Sequence, residues 1–224
     1  MDHIRSYVIR SGRMSGAQKR AYREFSRYII PFNQNSKEKT DFERVFGNRN
    51  PLTVEIGFGM GIATALIAEK NPLNNYLGIE VHKPGIGRLL WEIEKRRLDN
   101  VRIVEYDAVE VVEKMLCEGA VSAFHIFFPD PWPKKRHHKR RLVKRPFTDL
   151  LASRLKSGAY IYLVTDWADY GDWALREFEA APCLRNVYPG FAEPQKWRPE
   201  TGFERKGLEK SHEIKELYFI KTDN

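Results

Sequence analysis

Three glycines at alternate positions, Gly57, Gly59 and Gly61, follow the apolar run Leu52-Thr53-Val54-Glu55-Ile56, and a helical pattern begins directly after them. Leu52 to Ile56 predicts a buried strand, bounded on its N-terminal side by Pro51. Ile62, Ala63, Leu66 and Ile67 then recur at helical spacing until Asn71-Pro72 stops them. A strand, a glycine turn and a helix N-terminus in succession confine the chain to an α/β architecture and form a cradle for a cofactor. Glycine lets the backbone approach a ligand closely and adopt positive φ. The helix end adds unpaired N–H groups and partial positive charge.

The spacing bears on which cofactor. A dinucleotide site places its third glycine three residues after the second. Here that place is taken by Ile62, and the third glycine comes early, at Gly61. The carboxylate of Glu55, just before the glycines, is a poor neighbour for a pyrophosphate. A ligand with a positive centre and no phosphate suits it better, and S-adenosylmethionine, with its sulfonium, amino-acid tail, ribose and adenine, is such a ligand.

Further strands alternate with helices along the chain. Asn75 to Val81 reads as a second strand carrying Glu80 near its end, at the distance from the glycines where an acid reaches a ribose. A third, Val101 to Asp107, ends in Asp107, an acceptor for an exocyclic amine such as adenine N6. The fourth, Ala123 to Phe128, is apolar on both faces and therefore central. A helix starting at Pro146 is expected to end at Gly158. A fifth strand runs from Ala159 to Asp166, and two short strands near 184–188 and 213–221 close a seven-stranded sheet. This α/β pattern implies right-handed crossovers, a mostly parallel sheet and helices on both faces. Ligands in such sheets bind past the carboxyl ends of the strands where strand order reverses. The glycine turn, Glu80, Asp107, Asp130 and Asp166 should therefore meet on one rim.

The end of the fourth strand is the most specific feature. Pro129 and Pro131 stiffen the backbone around Asp130, and Trp132 offers a ring on which a base can stack. Eight of the next twelve residues after Pro133, Lys134 to Arg145, are Lys or Arg. The formal charge of +8 and pI near 9.4 likewise point to an anionic partner, with nucleic acid first and a membrane surface second. No run suits a membrane span, and the basic N-terminus argues against a secretory signal. Cys117 and Cys183 lack metal or redox spacing and are read as buried thiols in a reducing cytosol. The six histidines are scattered apart from His137-His138, so no metal site is expected. Residues 1–50 form a basic, aromatic-dotted extension, with a helix expected within Gly16 to Ile30. The main domain then covers 51–224, with an insertion at 189–211.

Taken together, these segments resemble the bacterial tRNA (guanine-N7)-methyltransferases over nearly the whole chain. The likeness rests on Ile4-Arg5-Ser6-Tyr7, Glu55 to Gly61, Gly78 to His82, Asp107 to Glu110, Phe127 to Trp132, Arg136 to Arg141, Thr165-Asp166-Trp167 and Thr201 to Glu204. It implies a Rossmann-like class I S-adenosylmethionine-dependent methyltransferase acting on a guanine in the tRNA variable loop and releasing S-adenosylhomocysteine. By the same resemblance, Glu55, Glu80, Asp107 and Asp130 match cofactor-binding positions, and Asp130 the proposed catalytic one. Lys134, Asp166, Thr201, Gly202, Phe203 and Glu204 match substrate-contacting positions, while Arg136, His137, His138, Lys139, Arg140 and Arg141 match an RNA-contacting segment. A cytoplasmic monomer working on tRNA, away from membranes, is the corresponding expectation. The rival readings are an adenine-N6 or other base methyltransferase, a non-catalytic RNA-binding protein, and a nicotinamide-dependent oxidoreductase.

Overall fold

The computed structural model describes residues 4–8, 12–202, 204–205 and 212–223. Seven strands, β1 (Leu52–Ile56), β2 (Asn75–Glu80), β3 (Val101–Glu105), β4 (Val121–Phe127), β5 (Leu155–Thr165), β6 (Leu184–Asn186) and β7 (Lys215–Lys221), form one sheet in the order β3-β2-β1-β4-β5-β7-β6. The first five run parallel, and β7 is inserted antiparallel between β5 and β6. Strand order reverses at β1, which pairs with β2 on one side and β4 on the other.

The helices are α1 (Gly16–Glu24), α2 (Phe42–Phe46), α3 (Ile62–Lys70), α4 (Lys83–Arg96), α5 (Ala108–Met115), α6 (Phe147–Arg154) and α7 (Ala168–Glu179). Alternate strand residues face opposite layers. Val54, Ile56, Phe124, Ile126, Ile161 and Leu163 pack with α5, α6 and α7. Phe127, Tyr162 and Val164 turn the other way, into the layer built by α1, α3 and α4. Each fully buried Leu or Ile contributes roughly 1.5–3 kcal/mol, so the sheet is held from both sides. Among the described residues no helix is long and apolar enough to cross a membrane.

Two elements end elsewhere than the sequence pattern suggests. The helix expected within Gly16 to Ile30 opens on a Ser15–Gln18 capping box but stops at Glu24, and a 3-10 turn follows at Ser26–Tyr28. The chain then extends so that Ile29 pairs with Ile103 on the edge of β3 and Ile30 N donates to the Ile103 carbonyl at 2.7 Å. An extension tied to a sheet edge cannot stay helical. The helix expected to end at Gly158 instead ends at Arg154, whose buried guanidinium donates to the Val112 carbonyl of α5. β5 starts at once, and its pairing jumps from Val121↔Leu155 to Ala123↔Tyr160. Gly158 lies in the resulting bulge at φ 71°.

The glycine turn is pressed against α4. A Cβ on Gly85 would sit 1.9 Å from the Gly59 carbonyl oxygen, and one on Gly87 would sit 2.8 Å from the Gln18 carbonyl of α1. Two glycines inside one helix thus let α4 fit between the turn and α1. Gly85→Ala should therefore destabilise despite alanine's better helix propensity, lowering the melting temperature by about 3–10 °C through overpacking. Gly16→Ala, with nothing within 4 Å of its Cβ, should leave it unchanged or slightly raised. Equal melting temperatures in a thermal scan of the two variants would refute the steric account.

Candidate active site at the carboxyl ends of the strands

Sheet order and register place the predicted residues in one row. Ile56 pairs with Ile79 and with Ile126, so the ends of β2 and β4 flank the turn that follows β1. Along the rim the order is Asp107 after β3, Glu80 at the end of β2, Gly57 to Gly61 after β1, Asp130 after β4 and Asp166 after β5. Glu80 and the start of the Asp130 loop are two strand spacings apart, about 10 Å.

The glycines all adopt positive φ, 74° at Gly57, 57° at Gly59 and 67° at Gly61. Glu80 is fixed on this turn. One carboxylate oxygen accepts from Gly59 N at 2.9 Å, and the other accepts from Val81 N at 2.7 Å and His82 N at 3.1 Å. An amide committed to a carboxylate is not offered to a pyrophosphate, which agrees with the sequence argument against a dinucleotide. Below the turn, Glu55 is buried at 3% exposure. Burial pushes its carboxyl up to about 7, with the Glu80 charge adding and the Thr64 hydroxyl partly offsetting. Asp107 is also buried and caps α5, accepting from Val109 N at 2.9 Å and Glu110 N at 3.2 Å.

Past β4 the backbone is strained. Phe128 has φ 50° and Trp132 has φ 45°, so two bulky left-handed residues bracket Pro129-Asp130-Pro131. Asp130 is exposed there. Trp132 donates its indole N–H to the Ser6 carbonyl at 2.8 Å and carries the Arg140 guanidinium over its ring at 5.1 Å. The basic run forms a 3-10 turn, Lys135–Arg140. Lys134, Lys135, Arg136 and Lys139 are exposed, and His137, His138 and Arg140 are half-buried. Arg141 is the exception. It was expected to face RNA, yet its side chain is fully enclosed, donating to the Pro131 carbonyl at 3.1 Å, pairing with Asp169 and lying over Trp173. It braces the Asp130 loop from behind, and its hydrogen bond, helped by its charge, holds the Asp169 carboxyl below the usual range.

At the end of β5, Asp166 lies 3.5 Å from His212 Nδ1. The insertion is pinned beside it. Arg198 pairs with both oxygens of Glu204 at 2.5 and 2.7 Å and with Glu216 of β7 at 2.7 Å. Thr201 and Glu204 cap one another, Glu204 N donating to Thr201 Oγ1 at 3.1 Å and Thr201 N to Glu204 at 3.3 Å. The Glu204 carboxylate thus points inward to Arg198, while Gly202 is exposed. Phe203 lies outside the described residues.

A family model described as "Putative methyltransferase" matches residues 49–217. A tRNA (guanine-N(7)-)-methyltransferase of Paraburkholderia xenovorans (strain LB400) is 47% identical over 219 residues, covering 97% of this chain and 83% of that protein. The chain belongs to the tRNA (guanine-N(7)-)-methyltransferase family. Its fold is that of class I methyltransferases. The 16S rRNA methyltransferase KamB superposes with a TM-score of 0.61 at 15% identity, over 84% of this chain and 96% of that one. An S-adenosylmethionine-dependent O-methyltransferase from Thermotoga maritima does so with 0.52 at 15% identity, over 78% and 60%.

For this tRNA (guanine-N(7)-)-methyltransferase family member, sequence reading missed Gly85, Arg198 and Glu216. The close pair Gly85 and Gly87 within a helical pattern was a usable signal. Nothing local marks Arg198 as buried, because it is enclosed only when Glu216 of β7 joins Glu204, six residues further along the insertion, around its guanidinium. The raised Glu55 sets a pH dependence. Between the ordinary 4.5 and about 7 the folded protein keeps a proton that the unfolded chain has lost. The stability contributed by neutral Glu55 is thus full at low pH and is lost as pH rises through about 7. The difference in unfolding free energy between wild type and Glu55→Gln should fall by about 1.4 kcal/mol per pH unit in that window. Urea unfolding from pH 4 to 8 checks this, and parallel profiles would mean that Glu55 titrates normally.

Proposed function

We propose that the chain transfers the methyl group of S-adenosylmethionine to N7 of a guanine in tRNA, in the variable loop, at the rim described above. The observation that carries this reading is the adjacency of the glycine turn with Glu80 to an exposed Asp130 whose loop continues into a cationic turn. It rests further on membership of a family whose curated members carry that activity in their names. On the same reading the protein acts as a cytoplasmic monomer.

The residues fit the cofactor chemically. Glu80, held by three backbone N–H groups, is a pre-oriented acceptor for ribose hydroxyls. Asp107 is placed for an exocyclic amine, and the positive-φ glycines leave room for the amino-acid tail. Exposed Met60 and Ile62 offer apolar surface beside them. Glu55, beneath the turn, adds negative potential near a positive centre once it ionises. The bound cofactor supplies an electrophilic methyl on a sulfonium.

Guanine N7 carries a lone pair and no proton, so attack needs no general base. The protein's work is alignment and charge stabilisation. Asp130 faces the base from a stiff loop, accepts from its N1–H and N2–H, and stabilises the positive charge that develops on the purine. Trp132 stacks, Lys134 and the exposed cations hold the phosphates, and Asp166 with Thr201 and Gly202 bounds the base on the β5 side. A guanine inside folded RNA has to be splayed outward to reach this rim.

Incubation of tRNA with labelled cofactor followed by nucleoside mass spectrometry should yield 7-methylguanosine. N6-methyladenosine, or no product, would overturn the assignment. Asp130→Asn should lower kcat/KM by roughly 10²-fold or more, the scale of losing one transition-state electrostatic partner, while the melting temperature holds. Near wild-type turnover would remove Asp130 from catalysis. Alanine at Lys134, Lys135, Arg136 and Lys139 together should reduce the slope of log affinity against log salt by about 3–3.5, since each phosphate contact contributes roughly 0.7–0.9. An unchanged slope would place the RNA elsewhere.

A further inference from the structure

The N-terminal arm crosses the rim. Trp132, beyond β4, holds the Ser6 carbonyl at 2.8 Å, and Arg140 Nη1 reaches the Arg5 carbonyl at 3.5 Å. Tyr7, the very next residue, is within electrostatic reach of the groups beyond β3, where burial followed by the Asp107 charge raises its phenol above the ordinary value. β3 and β4 are separated by β2 and β1, a span of about 14 Å at three strand spacings. An arm held beyond β4 at Ser6 and lying against His82, past β2, at Gly12 has its two anchors on opposite sides of the glycine turn, so Ser6 and Tyr7 head across the rim toward Glu80. The burial pattern agrees. Ser6 and Tyr7 are half-buried, while Ile4 and Val8 are exposed at 44% and 54%. Farther along, Gly12 lies against His82, just past the end of β2, where a Cβ would come within 2.8 Å of Nε2.

We infer that Arg5-Ser6-Tyr7 is a strap over the cofactor crevice, with Tyr7 a cofactor-binding residue that packs on the purine beside Asp107 and the Ser6–Trp132 hydrogen bond the clasp that keeps it shut. This rests on the functional reading above, because it takes the crevice to be the S-adenosylmethionine site. Cofactor entry and product release then require the arm to lift. The clasp is a single neutral hydrogen bond, weak enough to open in each turnover. Its donor is the indole on which the target base stacks, so closure of the arm and presentation of that ring are coupled.

The test uses full-length protein without tRNA and S-adenosylhomocysteine as probe, with affinity from calorimetry and release of labelled probe followed after rapid dilution. Tyr7→Ala should speed release and weaken affinity about tenfold, the scale of one lost aromatic contact. Tyr7→Phe, which keeps the ring, should stay near wild type. Trp132→Phe, which keeps a ring but removes the donor, should speed release several-fold. Melting temperatures should not move, since the arm lies outside the core. If wild type binds the probe but Tyr7→Ala and Trp132→Phe release it at the wild-type rate, the strap is refuted and the functional reading stands. If wild type does not bind the probe, both fall together.

Discussion

The reversal of strand order at β1 is the constraint from which the site follows. Because β2 and β4 lie on opposite sides of β1, the connections leaving them diverge to different faces of the sheet. A crevice opens where they part. Only a glycine-rich turn can occupy its floor, since α4 presses on Gly59 through Gly85 and, one helical turn on, on Gly61 through Leu89. The hydrogen bond from Gly59 N to Glu80 then locks the floor to the neighbouring strand. Every other feature of the rim is arranged around that fixed floor.

Much of this was legible in the sequence because it is local and periodic. The strand Leu52–Ile56, the helix ending before Asn71-Pro72 and the acid at the end of each inner strand could be read directly, and α/β alternation supplied the rest of the topology. What escaped was decided by distant partners. α1 ends early because Ile29 and Ile30 are claimed by the edge of β3. Gly158 looks like a helix stop but serves a bulge, because Arg154 and Leu155 are both drawn into the core before it.

The same distinction separates the charged residues. In the run from Lys134 to Arg145, Arg141 is indistinguishable by composition from Arg136, yet it is enclosed between Asp169 and Trp173 and holds the Pro131 carbonyl. One cation of the cluster secures the loop so that the others can be displayed. In the insertion, Arg198 between Glu204 and Glu216 plays a comparable part, pinning a proline- and charge-rich segment to β7. Buried ion pairs of this kind add little net stability, but they fix which arrangement the segment adopts.

The left-handed conformations at Phe128 and Trp132 constrain how this loop could be altered. Neither residue is comfortable there, and glycine at either place would relieve the backbone. Glycine would also surrender an aromatic ring and slacken the segment that aims Asp130. A substitution that made this stretch sturdier would therefore strip away one of the two rings that bracket Asp130. Backbone strain and side-chain display cannot be tuned separately here, because relief at either position removes the ring that the position presents.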